Sequence, residues 1–273
     1  MHHHRSRAAS AALAGAILFA AAAPMAAVVG SQPDTTNRFP HVGSVQWQVE
    51  PGLWFGVCSG TLIASDLVVT AAHCVAGSAT DTIPTADVRV SLNPVISAPA
   101  DQADPFAYSV AEVIVHPTLA PAMSAGNSKN ALDQAWDDIA LLRLTADVIG
   151  IAPAAVGGAG YLDALSLRSE TFTAVGYGIE GFVTGSAASP VGSVVQDFSR
   201  SFADVRALGH DVFPDRYLKI SAANCFGDSG GGLFHDGTLV AITIWTNSAR
   251  CEGPGLDYRL DTPIALELLA DNL

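Results

Sequence analysis

The string NCFGDSGGG, residues 224–232, places Ser229 between glycines and directly after Asp228. Glycine has no Cβ, so the backbone around the serine can adopt conformations that other residues disfavour, and amide groups can converge beside the hydroxyl oxygen. A serine in this setting is a candidate nucleophile for acyl transfer. A glycine-rich turn with an incidental serine shows the same bare pattern, so the chemistry requires further residues.

A serine hydroxyl is a weak nucleophile unless a base lies beside it. The string LVVTAAHC, residues 67–74, supplies His73 at the end of an apolar segment. The base in turn needs a carboxylate that holds its tautomer. The string WDDIALLRL, residues 136–144, supplies Asp138 directly before another apolar segment, with Asp137 as a rival for the role. Each residue alone is more typical of packing or of a strand end, but together they predict a serine hydrolase.

The first 27 residues have the composition of a secretory leader. Arg5 and Arg7 precede an alanine-rich apolar run over residues 8–23, and small residues follow it. A transmembrane anchor is the alternative, but a bilayer requires about 20 apolar residues and this run is shorter. We expect a signal peptide over residues 1–27, with a stub of residues 23–27 to be trimmed if the cut comes earlier. The protein is then secreted or periplasmic and has no membrane attachment after cleavage.

The charge of the chain restricts its partners. The sequence contains 26 acidic residues against 13 lysines and arginines, which gives a formal net charge of -13 at pH 7. A chain of this charge repels phosphate backbones, so we expect no nucleic-acid partner.

The four cysteines are an even number in a chain that we expect to be exported, which predicts disulfides. They form two sequence-local couples, so Cys58–Cys74 with Cys225–Cys251 is the leading one of three possible pairings. Zinc is the alternative, but no CxxC spacing or nearby ligand cluster supports it. We expect neither a metal nor a cofactor.

Short segments rich in Val, Ile and Leu recur along the chain, separated by Gly, Pro, Asn and Asp, as is typical of an all-β protein. They lie at residues 42–49, 60–71, 87–92, 108–115 and 138–144, and then at 171–178, 192–198, 216–221, 238–245 and 256–260. A helical pattern begins only at Pro263, with Asp261 or Thr262 as N-cap. Residues 150–160 are the natural linker between the halves, and residues 117–136 have the composition of a surface insertion.

Six strings resemble the chymotrypsin/trypsin-like serine peptidases, in the family's order and over nearly the whole mature chain. They are CSGTLI (58–63), TAAHC (70–74), DIALLRL (138–144), AVGYG (174–178), CFGDSGG (225–231) and YRLDTP (258–263). The tail and the CFGDSGG string look most like bacterial exported members. The resemblance implies an all-β fold of two six-stranded antiparallel barrels with a short C-terminal helix. Residues 28–150 would form the barrel that carries His73 and Asp138, and residues 151–273 the barrel that carries Ser229 and the helix.

The resemblance also implies a secreted serine endopeptidase that acts on proteins or peptides, and we expect a monomer. His73 would be the general base, Asp138 its orienting carboxylate and Ser229 the nucleophile. The amides of Gly227 and Ser229 would form the oxyanion hole. The implied disulfides are the two local pairs, Cys58–Cys74 and Cys225–Cys251.

The same resemblance gives the new N-terminus a role. The string VVGS, residues 28–31, stands where the mature chains of the family begin. A free Val28 ammonium would insert beside the nucleophile and pair with Asp228, which would order the oxyanion-hole backbone. Asp228 is then a structural switch and not a second catalytic acid.

The expected specificity pocket departs from that of trypsin. Ala223, followed by Asn224, stands six residues before the nucleophile, where trypsins carry an aspartate. Ile244, Trp245 and Thr246 replace the usual Ser-Trp-Gly. Without a carboxylate to pair with Lys or Arg, we expect an uncharged residue of small or medium size on the acyl side of the cut. Ile244 also removes a serine that usually hydrogen-bonds the catalytic aspartate, so Asp138 needs other donors.

Two rival functions remain. The GxSxG pattern also occurs at the nucleophile elbow of exported α/β-hydrolase esterases, which need a histidine well after the serine. The only histidine after Ser229 is His235, six residues on, and the flanking segments are not βαβ units. A binding protein that keeps the peptidase fold without activity is the other rival. Such chains usually lack a triad residue, whereas this chain has all three.

Overall fold

The computed structural model describes residues 31–78, 80–96, 103–118, 137–179, 181–183, 193–195, 198–210, 215–221, 224–246, 251 and 253–273. Most of the regular structure in these residues is β-strand. The strands are β1 (Gln32–Pro33), β2 (Val42–Glu50), β3 (Leu53–Ala64), β4 (Leu67–Thr70), β5 (Ala76–Ser78), β6 (Asp81–Thr82), β7 (Val88–Ser91), β8 (Ala107–Val115), β9 (Ala140–Leu144), β10 (Thr171–Gly176), β11 (Gly181–Val183), β12 (Ser193–Val195), β13 (Ser201–His210), β14 (Tyr217–Ile220), β15 (Gly232–His235), β16 (Thr238–Thr246) and β17 (Gly255–Arg259). The α-helix, α1, spans Pro263–Ala270.

The first barrel is closed by six antiparallel strands in the order β2-β3-β4-β9-β8-β7. Val and Leu side chains fill it, and the β-branched valines pack well on a pleated surface. Val45, Leu62, Val68 and Leu142 are all inaccessible to solvent. Both strands that lead to the predicted His73 and Asp138, β4 and β9, pair with each other in this barrel.

The second barrel has the strand order β13-β10-β15-β16-β17-β14, and pairing between β13 and β14 closes it. Strand β1 adds to the outer edge of β13, with Gln32 opposite Phe202. The core of this barrel includes Phe172, Leu218 and Leu233, none of them accessible to solvent. Two closed six-stranded antiparallel barrels with a short C-terminal helix confirm the fold expected from the sequence.

Helix α1 begins as the sequence predicts, and its N-cap is Thr262. The Thr262 hydroxyl accepts a hydrogen bond from the Ala265 amide, and Pro263 occupies the first turn. Proline suits that position because its missing amide hydrogen would have no helical partner there. The other candidate cap, Asp261, instead accepts a hydrogen bond from the Leu162 amide at 2.8 Å.

Two strands of the second barrel were missed by the sequence argument. Strand β13 spans ten residues, SFADVRALGH, in which small and charged residues weaken the apolar pattern. Strand β15 is only four residues long and follows directly on the glycine run after Ser229. The strand predicted at 192–198 is described only as the short β12. Most of the predicted insertion, residues 119–136, lies outside the described residues, as does the leader.

Residues 145–170 connect the last strand of the first barrel to the first strand of the second. The division of the chain into domains at residues 150 and 151 stays a prediction. In the part of the chain that the structure describes, no helix has the length and apolar character needed to cross a membrane.

Candidate active site

A short turn after strand β4 positions His73. The residues Ala72–Cys74 form a single 3-10 turn in which Ala72 and Cys74 are buried, whereas the His73 side chain is 28% exposed. A disulfide ties Cys74 to Cys58 on strand β3, with 6.1 Å between their Cα atoms. The Trp47 indole donates a hydrogen bond of 2.8 Å to the Cys74 carbonyl oxygen. The histidine therefore projects from a backbone that is held on both sides.

Asp138 orients the His73 ring through two contacts with the same residue. Its Oδ2 lies 2.7 Å from His73 Nδ1, and its Oδ1 accepts a hydrogen bond of 2.9 Å from the His73 amide. A carboxylate at Nδ1 favours the tautomer that carries its proton there, which leaves Nε2 free to accept a proton. The donor that replaces the expected serine hydroxyl is thus the backbone amide of His73.

The environment of His73 changes its pKa. Burial disfavours the charged imidazolium and lowers the pKa, but the charge of Asp138 and its hydrogen bond outweigh burial and raise the pKa above 6.5. A protonated ring beside Asp138 is therefore stabilised, as a base that must hold a proton during acyl transfer requires.

Asp137 contacts a different set of residues from its neighbour Asp138. It accepts hydrogen bonds from the side chains of Arg216 and Tyr258, which belong to the second barrel, and from Thr118. Only 1% of Asp137 is exposed, so these donors compensate a buried charge. The geometry thus separates the two adjacent aspartates: Asp138 faces His73, and Asp137 joins the barrels.

The backbone around Ser229 is anchored on the first barrel, next to the His73 turn. The Ser229 carbonyl oxygen accepts a hydrogen bond of 2.8 Å from the Ser59 amide. The same oxygen lies 3.7 Å from Cys74 Sγ. A Cβ at Gly230 would overlap Thr70 Oγ1 and the Ser59 carbonyl oxygen, and Gly230 has a φ of +80°. Only glycine therefore allows the loop around Ser229 to approach strand β3 this closely.

A hydrogen bond to the Phe226 carbonyl oxygen fixes the Phe226–Gly227 peptide plane and so the direction of the Gly227 amide. The Phe226 carbonyl oxygen accepts a hydrogen bond of 2.8 Å from the Ile179 amide, so the Gly227 N–H points the opposite way. The Gly227 φ is +99°, and a Cβ there would lie 2.9 Å from Gly178 Cα. An amide that is free of a backbone partner among the described residues is suited to donate to a developing oxyanion.

Asp228 is buried at 1% exposure beneath the same loop. Its carboxylate accepts hydrogen bonds of 2.9 Å from the amides of Gly178 and Cys225. Side chains at Gly176 or Gly178 would collide with this carboxylate, which explains the glycines of the AVGYG string. Burial raises the pKa of Asp228 to about 7, although the two amides oppose the rise. Val28, its predicted partner, lies outside the described residues.

The predicted pocket residues are only partly described. Ala223 lies outside the described residues, whereas Asn224 is buried beside the disulfide Cys225–Cys251, whose Cα atoms are 5.1 Å apart. The segment Ile244, Trp245 and Thr246 ends strand β16, with Ile244 buried and the other two half-buried.

Asp257 on strand β17, opposite Thr243, is a site residue that the sequence motifs did not indicate. This aspartate is buried and accepts a hydrogen bond from Asn224 Nδ2 at 3.1 Å. The signal available in the sequence was a single acidic residue inside the predicted strand LDYRL, residues 256–260.

One group of potential metal ligands contains site residues. The ligand atoms of Cys58, His73 and Cys74 lie within 4.8 Å of one another. The two sulfurs are bonded to each other, so neither is a thiolate that could bind a metal. This group therefore supports a positioned histidine and not a metal centre.

The family model for Trypsin matches residues 28–265 of this chain. The chain belongs to the Trypsin family. Members of this family are serine-type endopeptidases, and the match spans both barrels and every predicted site residue. Alkaline trypsin A of Manduca sexta is 26% identical over 90% of this chain and 93% of its own length. A trypsin of Simulium vittatum is 27% identical over 84% and 87%.

Other relatives of this Trypsin-family chain extend the comparison. Chymotrypsin-like elastase family member 1 of Rattus norvegicus is 37% identical over 45% of this chain and 40% of its own length. The solved structure of human heparin binding protein superposes with a TM-score of 0.63 at 17% identity, and covers 90% of this chain and 96% of that one. At that identity the likeness supports the fold alone.

Proposed function

We propose that this Trypsin-family chain is an active serine endopeptidase in which Ser229 attacks a peptide carbonyl carbon. His73 accepts the Ser229 proton at Nε2 and returns it to the leaving amine, and Asp138 holds the ring and stabilises its charge. Water then releases the acyl group from Ser229 by the reverse transfers. The two contacts between Asp138 and His73 carry this proposal, because they present the tautomer that the mechanism requires.

The oxyanion hole of the proposed enzyme consists of the amides of Gly227 and Ser229. The orientation of the Phe226–Gly227 peptide supports this assignment. In enzymes of this mechanism, loss of one such donor costs about 3 kcal/mol of activation free energy.

We further propose that the enzyme is exported, as in the bacterial members that its motifs resemble. Residues 1–27 act as the leader, and residues 28–150 and 151–273 form the two domains. The mature enzyme is a monomer in this proposal and binds proteins or peptides, but neither nucleic acid nor a membrane. The relatives named as trypsins support protein or peptide substrates, and the acidic charge of the chain disfavours a nucleic-acid partner.

The proposed activation step is insertion of a free Val28 amine beside Asp228. Two observations support it. The buried Asp228 has two amide donors and no cationic partner among the described residues. The segment that follows Val28 is held on the second barrel, where Gln32 pairs with Phe202 and the buried Asp34 carboxylate lies 2.9 Å from Arg200 Nε. A cation beside Asp228 would compensate its charge.

The proposed side-chain preference is an uncharged residue of small or medium size on the acyl side of the cut. Thr246 at the end of strand β16 supports a narrow entrance, because the family usually has glycine there. A binding protein without activity is not favoured by any described feature. Binding of an anionic polymer such as heparin, which the name of one structural neighbour states, is disfavoured by the net charge of -13.

An internally quenched peptide library tests the proposed activity. Mature protein that begins at Val28 should cleave library members after uncharged residues, and Ser229→Ala should abolish cleavage without changing the thermal unfolding temperature. Cleavage that persists in Ser229→Ala would contradict the assignment of the nucleophile. A profile dominated by Arg or Lys would leave the peptidase assignment intact and overturn the preference alone.

A further inference from the structure

A buried carboxylate lies in the wall of the second barrel, below the nucleophile loop. Asp257 of strand β17 is 0% exposed and pairs in register with Thr243 of strand β16. The Thr243 hydroxyl and the Asn224 amide group both donate hydrogen bonds to this carboxylate. Asp257 is therefore held between the strand that continues to Thr246 and the residue that precedes Cys225.

Two oxygen atoms in this group have no hydrogen-bond partner among the described residues. They are Asp257 Oδ2 and Asn224 Oδ1, on side chains that are hydrogen-bonded to each other at 3.1 Å. Polar atoms that are buried in a folded protein almost always have a partner, because desolvation without one costs free energy. When Asp257 is ionised, both free atoms are acceptors, so the partner that completes them must be a donor.

The position of this pair connects it to the reaction. Asn224 precedes the nucleophile Ser229 by five residues. Thr243 is bonded to the loop on the other side of the nucleophile, since its carbonyl oxygen accepts from the Gly230 amide at 2.7 Å and its amide donates to Gly231 at 2.9 Å. The free acceptors thus belong to Asn224 and to Asp257, whose strand β17 pairs with β16. We expect Asn224 and the end of strand β16 to enclose the substrate side chain.

We propose that Asp257 determines specificity, and that it and Asn224 accept hydrogen bonds from a donor group on the substrate side chain at the acyl side of the cut. The inference rests on the proposed peptidase function and deepens it. A carboxamide, as in glutamine, supplies two N–H donors for two adjacent acceptors. An apolar side chain of the same length leaves both acceptors unsatisfied, and a site built for hydrogen bonds rejects such an analogue strongly.

The ionisation state of Asp257, the titratable member of the pair Asp257 and Asn224, favours an uncharged donor on the substrate. Burial raises the pKa of Asp257 to about 7, although the Thr243 and Asn224 donors oppose the rise. The nearby carboxylate of Asp228 interacts with it unfavourably when both are charged. Near neutral pH the Asp257 carboxyl is only partly ionised, so it complements a carboxamide better than it complements an ammonium group.

Four peptides that differ only at the acyl-side residue test the proposal. Glutamine is compared with methionine, which has the same length and no N–H donor. Lysine is compared with norleucine, which has the same carbon chain without the ammonium group. The wild-type enzyme should cleave the glutamine peptide with a kcat/KM about 10-fold or more above that of the methionine peptide. In Asp257→Leu, which removes the Asp257 carboxyl group and leaves Asn224 Oδ1 as the remaining free acceptor, the ratio should fall to within about twofold.

Asp204→Asn is the matched control, since Asp204 is an exposed carboxylate on strand β13 of the same barrel. It should keep the wild-type ratio. A small fluorophosphonate probe, which has no side chain for the pocket, reports whether Ser229 is competent in each variant. If Asp257→Leu does not fold and fails to label, the wild-type ratios decide the question alone.

Equal rates within both pairs, in an enzyme that labels, would overturn the inference and leave the peptidase function standing. A lysine peptide cleaved faster than its norleucine match would support a donor site and overturn the uncharged preference. Wild-type protein that neither labels nor cleaves would overturn both the peptidase function and this inference.

Discussion

Ser59 and Gly227 belong to different barrels and are joined by a hydrogen bond of 2.8 Å from the Ser59 hydroxyl to the Gly227 carbonyl oxygen. The same hydroxyl accepts a hydrogen bond of 3.0 Å from the Tyr177 amide. Ser59 is inaccessible to solvent, so water cannot replace either partner. The buried Ser59 side chain thus holds Gly227, the predicted oxyanion-hole residue, against strand β3. The neighbouring Cys58 on the same strand forms the disulfide with Cys74, next to His73.

The substitution Ser59→Ala should slow acyl transfer without weakening substrate binding. It leaves the Gly227 carbonyl oxygen and the Tyr177 amide without their side-chain partner, a cost of about 1–3 kcal/mol that falls on the loop that must bind the oxyanion. We expect kcat to fall about 10-fold or more with KM nearly unchanged, measured on enzyme titrated for competent Ser229. Ser65→Ala, which removes an exposed hydroxyl on the same barrel, is the control and should keep both constants. An unchanged kcat in Ser59→Ala would show that the loop holds its geometry without the bond.

The adjacent substitutions Asp138→Asn and Asp137→Asn should separate catalysis from stability. Asp138→Asn favours the wrong His73 tautomer, and in a chymotrypsin-family enzyme the equivalent change lowers kcat about 10⁴-fold. Asp137→Asn weakens the buried contacts with Arg216 and Tyr258, so it should lower the free energy of unfolding and leave kcat per labelled site near wild type. Comparable losses of kcat in the two variants would refute the distinction.

The pH profile of kcat/KM should report the raised pKa of His73. The ring must be neutral to act as a base, so activity rises with pH through a midpoint above 6.5. Asp138 raises this pKa while burial lowers it, so the midpoint of the residual activity in Asp138→Asn should move to lower pH. A midpoint that does not move would mean that Asp138 has no electrostatic effect on the base.

A chain that keeps residues before Val28 should lose stability as the pH rises from about 4 to about 7. Its folded state retains the proton on Asp228, whose pKa is raised to about 7, at pH values where the unfolded state has already lost it. The expected loss is a few kcal/mol, measured as the free energy of unfolding against pH. Asp228→Asn should remove part of this loss of unfolding free energy. The rest should remain, because Asp257 has a similarly raised pKa and is unchanged in the variant. An identical fall in Asp228→Asn would exclude Asp228 as its source.

The ion pair between Asp34 and Arg200 should anchor the N-terminal segment. Both side chains are inaccessible to solvent, and Arg200 also donates to the Val42 carbonyl oxygen at 3.0 Å. Arg200→Met leaves a buried, uncompensated carboxylate and should lower the free energy of unfolding by about 3–5 kcal/mol. Adding Asp34→Asn should restore part of that loss, because the uncompensated charge is removed. Additive losses in denaturant unfolding would argue against a coupled pair.

Local patterns predicted much of this molecule, and long-range pairing accounts for what they missed. The strings around His73, Asp138 and Ser229 were recognisable because each is contiguous, and the local cysteine couples indicated both disulfides. The pairing of Asp34 with Arg200 spans 166 residues, so no local pattern could reveal it. The position of Asp257 depends on the register of β16 against β17, which brings it opposite Thr243. The donor to Asp138 was missed because a backbone amide leaves no trace in residue type.

The most direct test of the catalytic assignment is fluorophosphonate labelling of mature protein that begins at Val28, followed by peptide mapping. We expect one adduct per chain, on Ser229, with labelling abolished in His73→Ala and retained in the control Ser65→Ala. Mature wild-type protein that is folded and remains unlabelled, or that carries its adduct on another serine, would contradict it.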